Sequence, residues 1–354
     1  MTRKPNSQIH LQGTKDINVK LMALGWNEYF ENQVLSLKIR NATPVRITQI
    51  HRNNLQVVGI NLDQKIPSIA HVTVGDWLLL DLENPQSSKI LKRKSLLKRR
   101  AAGHDRKKQL IAANLDTVFI VSSCNNEFNL ARLERYVAMT YEAALTPVIV
   151  LTKIDLEPNY EKFVLQASTI SDDITVLKLD ARNSSAKKFL APWCRLGQTI
   201  AFLGSSGVGK SSLANTLAGN QLIRTQATRA SDARGRHTTT SRQLHIISRG
   251  CTVIDTPGMR ELQLTDTAPG IKETFADLHN LKKSCHFTDC SHNHEPGCAI
   301  RHNIINGKID EKRVNRWLKL IEEDQKNTGS LAKRNTGHNV TKKLNRSKPK
   351  HKKK

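Results

Sequence analysis

Acidic residues are scarce in this chain. Its 354 residues include 31 Asp and Glu against 56 Lys and Arg, a net charge of +25. An excess of that size excludes a charge-balanced surface and points to a polyanionic partner, either nucleic acid or an anionic membrane. Long apolar runs are also missing. Stretches such as Val148–Leu151 fall far short of the roughly 20 residues that a membrane span needs. The opening segment, MTRKPNSQIHLQGTKDINVK, has no apolar h-region, so a cytoplasmic protein is expected. Six cysteines in so long a chain are too few for a disulfide scaffold, and three of them cluster late among histidines. What remains, 38% apolar and 25% charged residues, is enough for a sizeable core and argues for two to three domains.

The positive charge is concentrated. Lys326–Lys354 holds 11 basic residues and no acid, which reads as a disordered basic tail. Leu91–Leu110 (LKRKSLLKRRAAGHDRKKQL) holds nine basic residues and one acid, Asp105, and lies between two periodic regions, so it reads as a basic domain junction. Either could be a solvated segment alone; together they favour polyanion binding.

Short β-like runs at Leu35–Ile39, Val45–His51, Leu55–Ile60 and Trp77–Leu82, with turn signals at Asn53-Asn54 and Gly75-Asp76, predict a small barrel. An OB-fold is the specific expectation, and an SH3-like barrel fits the spacing nearly as well. The first 30 or so residues read as a polar, loosely ordered arm. From Leu115 onward, continuous apolar runs at Thr117–Val121, Pro147–Leu151, Ile174–Leu179, Thr199–Leu203 and Thr252–Ile254 alternate with helical patterns. One helical pattern is Leu133, Tyr136, Val137, Thr140, Tyr141 and Ala144, and another is Lys210–Ala218, stopped by Gly219. Buried strands alternating with helices imply a parallel sheet covered on both faces. A further helix is expected at Asp310–Glu323.

Gly204, Ser205, Ser206, Gly207, Val208, Gly209, Lys210 and Ser211, followed by Ser212, fit G-x-x-x-x-G-K-[ST] between a strand and a helix. The glycines let consecutive N–H groups converge on the β-phosphate, and the helix N-terminus adds its positive end. Lys210 would reach the β- and γ-phosphates, and the Ser211 hydroxyl would ligate Mg²⁺. Asp255-Thr-Pro-Gly258 ends a buried strand. Its acid suits Mg²⁺, and the Gly258 N–H suits the γ-phosphate. Thr152-Lys153-Ile-Asp155 reads as a guanine motif, because one carboxylate can accept both N1–H and N2–H₂ of that base and adenine offers no such pair. The stem of Lys153 would pack on the base. In ordinary GTPases this motif follows the phosphate loop; here it precedes it, a circular permutation that a parallel sheet tolerates. Asp180-Ala181-Arg182 then supplies the second base loop, with the Ala181 N–H aimed at O6.

Between these motifs, Gly235-Arg-His-Thr-Thr-Thr240 offers threonines to complete Mg²⁺ coordination when the γ-phosphate is present. Thr239 is favoured among Thr238, Thr239 and Thr240. Met259 stands where Ras-like enzymes carry a water-orienting glutamine, so unassisted hydrolysis is expected at no more than ~10⁻⁴ s⁻¹. His237 is the nearest candidate to position the water; a solvated loop histidine is the alternative. Cys285, Cys290, His292 and Cys298 match a closed Cys₃His zinc site, structural rather than catalytic, with His294 as the fallback ligand. Cys124, Cys194 and Cys251 lie in or beside apolar runs and read as core thiols.

Taken together, Leu24-Gly-Trp26, Val74-Gly-Asp-Trp77, TKID, GSSGVGKSS, GRHTTT, DTPGMREL and CHFTDCSHNHEPGC resemble the RsgA (YjeQ) family of circularly permuted GTPases acting late in bacterial small-subunit maturation. The resemblance implies a multidomain chain: an N-terminal OB-fold β-barrel, a central permuted α/β P-loop GTPase domain and a C-terminal α-helical zinc domain. It implies GTP/GDP, Mg²⁺ and one structural Zn²⁺ as cofactors, and hydrolysis stimulated by the small ribosomal subunit. It also matches His237 to the family's proposed catalytic histidine. Asp180-Ala-Arg182 departs from the common Ser-Ala-Lys loop. The expected boundaries are an arm at 1–33, the barrel at 34–105, the GTPase domain at 106–267, the zinc domain at 268–325 and the tail at 326–354. Expected partners are the small subunit, its rRNA and other assembly factors, with no membrane, for a monomeric protein. A non-enzymatic nucleic-acid module and an RNA-directed ATPase are the competing readings; the intact Lys210, Ser211, Asp255 and Asp155 oppose the first and Asp155 the second.

Overall fold

Alternation along the first strand explains how the N-terminal sheet is attached. In β1 (Thr43–Ile50), Val45 and Ile47 point into a core shared with Leu55, Val57, Ile66, Leu78 and Leu80. The intervening Arg46 is also fully buried, because the opposite strand face is covered as well. The computed structural model describes residues 19–37, 43–100, 108–219, 242–247, 250–255 and 266–346, with side chains at 100, 108 and 329–346 left aside. Strands β2 (Asn54–Gly59) and β3 (Leu62–Pro67) follow β1 as an antiparallel meander. The strand β4 (Trp77–Leu80) pairs with the other side of β1, and β5 (Lys89–Ile90) pairs with β4.

Two expectations for the N-terminal region are corrected. Leu35–Leu37, expected to begin a strand, is helical: α1 occupies Glu28–Leu37, where Phe30, Val34 and Leu37 repeat at helical spacing, and Lys38 and Ile39 lie outside the described residues. Residues 19–37 are not loose either. Leu21, Leu24 and Phe30 bury themselves with Trp77, Leu79 and Leu91, and Trp26 meets Trp77 edge-on at 4.7 Å.

The basic junction folds as a hairpin of β6 (Leu96–Arg100) and β7 (Lys108–Ala113). Leu97, Ile111 and Ala112 enter the main core, so alternating charged residues conceal a buried face. Beyond it lie β8 (Thr117–Ser123), β9 (Thr146–Thr152), β10 (Thr175–Lys178), β11 (Thr199–Leu203), β12 (Gln243–Ile246) and β13 (Thr252–Asp255). They stand in the order β10-β9-β8-β11-β13-β12, parallel except for β12. A bridge between Gln49 and Gln243 joins β1 to β12, so the N-terminal and the parallel strands share one sheet.

Helices cover this sheet. They are α2 (Leu130–Glu142), α3 (Glu161–Ser168), α4 (Ala186–Leu190) and α5 (Lys210–Ala218), then α6 (Ala268–Thr274), α7 (Ala276–Lys282), α8 (Ala299–Ile305) and α9 (Glu311–Arg346). The side chain of Asn129 caps α2 by accepting from the Arg132 N–H at 2.9 Å. Gly219, at φ +74°, ends α5 in the left-handed conformation as expected. The last helix packs through Val314, Trp317 and Leu320, and Arg316 pairs with the buried Glu134 of α2 at 2.8 Å. It runs through Arg346, past Lys326, where a disordered tail is expected. That expectation rests on having nothing to bury, whereas a helix already nucleated and packed through Val314, Trp317 and Leu320 extends by adding one hydrogen bond per residue fixed. No helix among the described residues is long and apolar enough to cross a membrane.

Candidate nucleotide site and metal centre

The chain moves outward from β8 in both directions, through β9 to β10 and then through β11 to β13. Such a reversal of strand order opens a crevice beyond the carboxyl ends of the two central strands. All the described motifs lie at that edge. Thr152 ends β9, Gly204 follows β11, Asp255 ends β13, and Asp180 follows β10.

Gly204 has φ +145°, and a Cβ there would sit 2.2 Å from the Val121 carbonyl oxygen. Only glycine fits this turn. Gly209 has φ +102°, and a Cβ there would crowd the Ala181 Cβ at 3.2 Å. The two loops thus approach so closely that a side chain at Gly209 would press on Ala181. Lys210 opens α5; its ammonium donates to the carbonyls of Gly204 (2.9 Å) and Ser205, across the mouth of the loop. Ser211 and Ser212 lie in the same first turn, half-buried. Ser206 and Gly207 are the exposed apex of the loop, and Val208 is buried beneath it.

Thr152 is fully buried. Its hydroxyl lies 2.6 Å from the Val208 carbonyl oxygen and 3.2 Å from that of Ser122, so it ties the base motif to the phosphate loop from below. Lys153 takes φ +60°, a conformation that costs a non-glycine residue about 1 kcal/mol and recurs at functional sites. It starts the short helical turn Ile154–Leu156, which carries Asp155. The carboxylate of Asp155 accepts from Arg182 Nη2 at 2.8 Å. Ala181 is buried, and its carbonyl accepts from the Thr216 hydroxyl at 2.8 Å.

Asp255 is half-buried and directly opposite Gln243 in the β12–β13 register. His237, Thr239 and Gly258 lie outside the described residues. Two contacts escape motif reading. Arg132, in the first turn of α2, donates to the Ser205 hydroxyl, and Arg182 reaches Asp155. A basic residue just after a strand next to β11, or beside the second base loop, is the only signal either leaves in sequence.

The metal cluster is assembled. Donor atoms of Cys285, Cys290, His292 and Cys298 all lie within 4.8 Å of one another. His292 Nδ1 is 3.7 Å from Cys285 Sγ and 3.6 Å from Cys298 Sγ. Tetrahedral zinc, with bonds of about 2.3 Å to sulfur and 2.0 Å to nitrogen, spaces its ligands by roughly 3.5–3.8 Å. The donor set and spacing fit that ion. His292, rather than the fallback His294, stands with the thiols, and its ring stacks on Trp317 at 5.7 Å. Burial lowers the imidazole's pKa, which favours the neutral form a metal needs. Glu295 shapes the loop by accepting backbone N–H bonds from Ser291, Asn293 and His294 at 2.7–3.1 Å. Hydrogen bonds from Ser291 and this backbone pull its carboxyl down to about 2. Cys124 and Cys251 are buried core thiols and Cys194 is half-buried, as expected.

Comparison with known proteins agrees with this geometry. The RsgA GTPase family model matches residues 90–265. The small ribosomal subunit biogenesis GTPase RsgA 2 of Vibrio vulnificus is 43% identical over 318 residues, covering 88% of this chain and 90% of that protein. Among solved structures, YjeQ from Thermotoga maritima superposes with a TM-score of 0.59 at 25% identity, over 79% of this chain and 98% of that one. YloQ, described as a circularly permuted GTPase, superposes at 0.55 with 21% identity, over 81% and 96%. With its motifs in permuted order around one crevice, the chain belongs to the RsgA GTPase family.

Proposed function

We propose that this protein is a GTPase that binds the small ribosomal subunit and couples GTP hydrolysis to late steps of its maturation, including rRNA binding and assembly-factor release. The observation that carries the nucleotide part is the closure of Thr152 and Ala181 onto Val208 and Gly209. A base motif and a phosphate loop braced together in this way form one pocket for a guanine nucleotide. GTP and Mg²⁺ supply the phosphoanhydride and the divalent charge. The chain supplies the rest. N–H groups of Ser205 to Ser212 hold the phosphates, Lys210 turns from the loop carbonyls toward them, and Ser211 and Asp255 serve the metal. Asp155 and the Ala181 N–H read guanine. His237 positions the attacking water, while Thr239 and Gly258 respond to the γ-phosphate.

The strand order β3-β2-β1-β4-β5 supports an OB-fold at 34–105, next to the GTPase domain at 106–267 and the helical zinc domain at 268–325. Cys285, Cys290, His292 and Cys298 hold one structural zinc. The basic hairpin and the basic end of α9 suit rRNA, a partner consistent with the net charge of +25. GTP turnover with and without purified small subunits tests the reading. Strong stimulation is expected; turnover indifferent to subunits would leave a nucleic-acid-binding module as the better account.

A further inference from the structure

The second base loop departs from Ser-Ala-Lys at both ends, and the two departures meet. Arg182 donates from its backbone N–H to Asp180 Oδ1 at 2.9 Å, and its guanidinium lies 3.5 Å from the same oxygen. The other end of that guanidinium donates to Asp155 Oδ2 at 2.8 Å. One cation therefore bridges the guanine-reading carboxylate and a second carboxylate introduced by the loop.

A serine in place of Asp180 would bring no second negative charge to the pocket. With aspartate there, two carboxylates share one rim, and their repulsion would turn Asp155 away from the base unless a cation lies between them. The hydrogen bond from Arg182 engages Oδ2 alone. A carboxylate offers about four lone-pair sites, so this contact leaves room for two N–H groups of guanine.

We infer that Arg182 is a positioning residue for guanine: it holds Asp155 in its base-reading orientation and offsets Asp180, so that Asp180 and Arg182 act as one unit. The inference rests on the guanine-pocket reading above. Arg182 is 70% exposed, so the effect of losing it is modest, and its substitution leaves the core untouched.

The test is displacement of a fluorescent GDP analogue from the full-length protein by GDP, IDP and ADP. IDP keeps O6 and N1–H but lacks the 2-amino group. Arg182→Ala should weaken GDP about two- to fivefold, the range of a partly exposed charge pair. IDP should weaken less and ADP not at all, so that the GDP-over-IDP preference shrinks. Asp180→Ser with Arg182→Lys should restore that preference, and adding Asp180→Ala to Arg182→Ala should recover part of it. Unchanged or tighter GDP binding by Arg182→Ala, with wild-type selectivity intact, would overturn the inference by making Arg182 a bystander or a plug. Wild-type protein that binds ADP as well as GDP would instead remove the guanine pocket itself, and the inference with it.

Discussion

The buried hydroxyl of Thr152 donates to the Val208 carbonyl across 2.6 Å, joining a residue of the base motif to one of the phosphate loop 56 positions away. Its backbone also accepts from the Cys124 N–H at 2.9 Å, so the strut is anchored in the sheet. Thr152→Val keeps the shape and removes the donor. Leaving a buried carbonyl unpaired costs about 1–3 kcal/mol. The expected outcome is a roughly tenfold or greater loss of affinity shared by all guanine nucleotides, read by calorimetric titration. A loss confined to one phosphorylation state would contradict the brace.

Asp155 accepts from donors, and only the carboxylate matches both N–H groups of guanine. Asp155→Asn should move the substrate preference from GTP toward xanthosine triphosphate, whose 2-oxo group accepts from the new amide. Steady-state turnover of the two triphosphates checks this. Retained GTP selectivity would mean that another residue reads the base.

The four clustered donors proposed to hold zinc sit between α7 and α8, with His292 stacked on Trp317 of the last helix. Without an ion, three thiols and an imidazole have little to hold them together in so small a space. Elemental analysis should find one zinc per chain. Prolonged chelation, or Cys298→Ser, should lower the melting temperature by several degrees, in line with ~1–2 kcal/mol for a chain of this size. A metal-free protein with an unchanged melting curve would exclude the assignment.

Glu134 is fully buried against Arg316, and its Oε1 has no hydrogen-bond partner among the described residues. Burial raises its pKa above the ordinary carboxylate value, and Arg316 offsets part of that rise. The native state therefore binds this proton more tightly than the unfolded chain does. Its contribution to stability is complete below the unfolded value and is lost as pH rises through the folded one. Wild-type protein should lose stability relative to Glu134→Gln on going from about pH 4 to pH 7, as measured by urea midpoints. A difference that stays constant with pH would refute the assignment.

Where one physical rule dominates, sequence and structure coincide. The strand Thr199–Leu203 and the helix Lys210–Ala218 appear with the residues expected, because a phosphate loop demands a buried strand before it and a helix after it. The clustering of Cys285, Cys290, His292 and Cys298 was legible for a similar reason, since metal geometry constrains spacing more tightly than packing does. Elements decided by tertiary context were harder to read. The edge strand Leu62–Pro67 has Asp63, Gln64 and Lys65 exposed on both of its faces, and hides among turn residues. The β6–β7 hairpin looks like a charge run until Leu97 and Ile111 are seen in the core.

Arg46 left no trace at all in the sequence. It is a single arginine in a strand, yet it is wholly buried and donates to the carbonyls of Leu24, Gly75 and Asn114 and to the Thr199 hydroxyl. Desolvation pushes its guanidinium down to about 10 despite Asp116 and Asp76 nearby. That role depends on the N-terminal strands meeting the parallel sheet, which no local pattern reports.

The permuted strand order also sets when the protein becomes competent. β8 acquires β9 as a neighbour soon after emerging, but its other flank stays open until β11, and the crevice lacks a wall until Asp255 at the end of β13. A nascent chain growing at about 5–20 residues per second thus carries its guanine motif for roughly 5–20 seconds before the last described element of the pocket exists. In the ordinary motif order the phosphate loop emerges first. Here the Thr152–Asp155 segment emerges first and the phosphate loop second, so the parts of the crevice leave the ribosome in the reverse order.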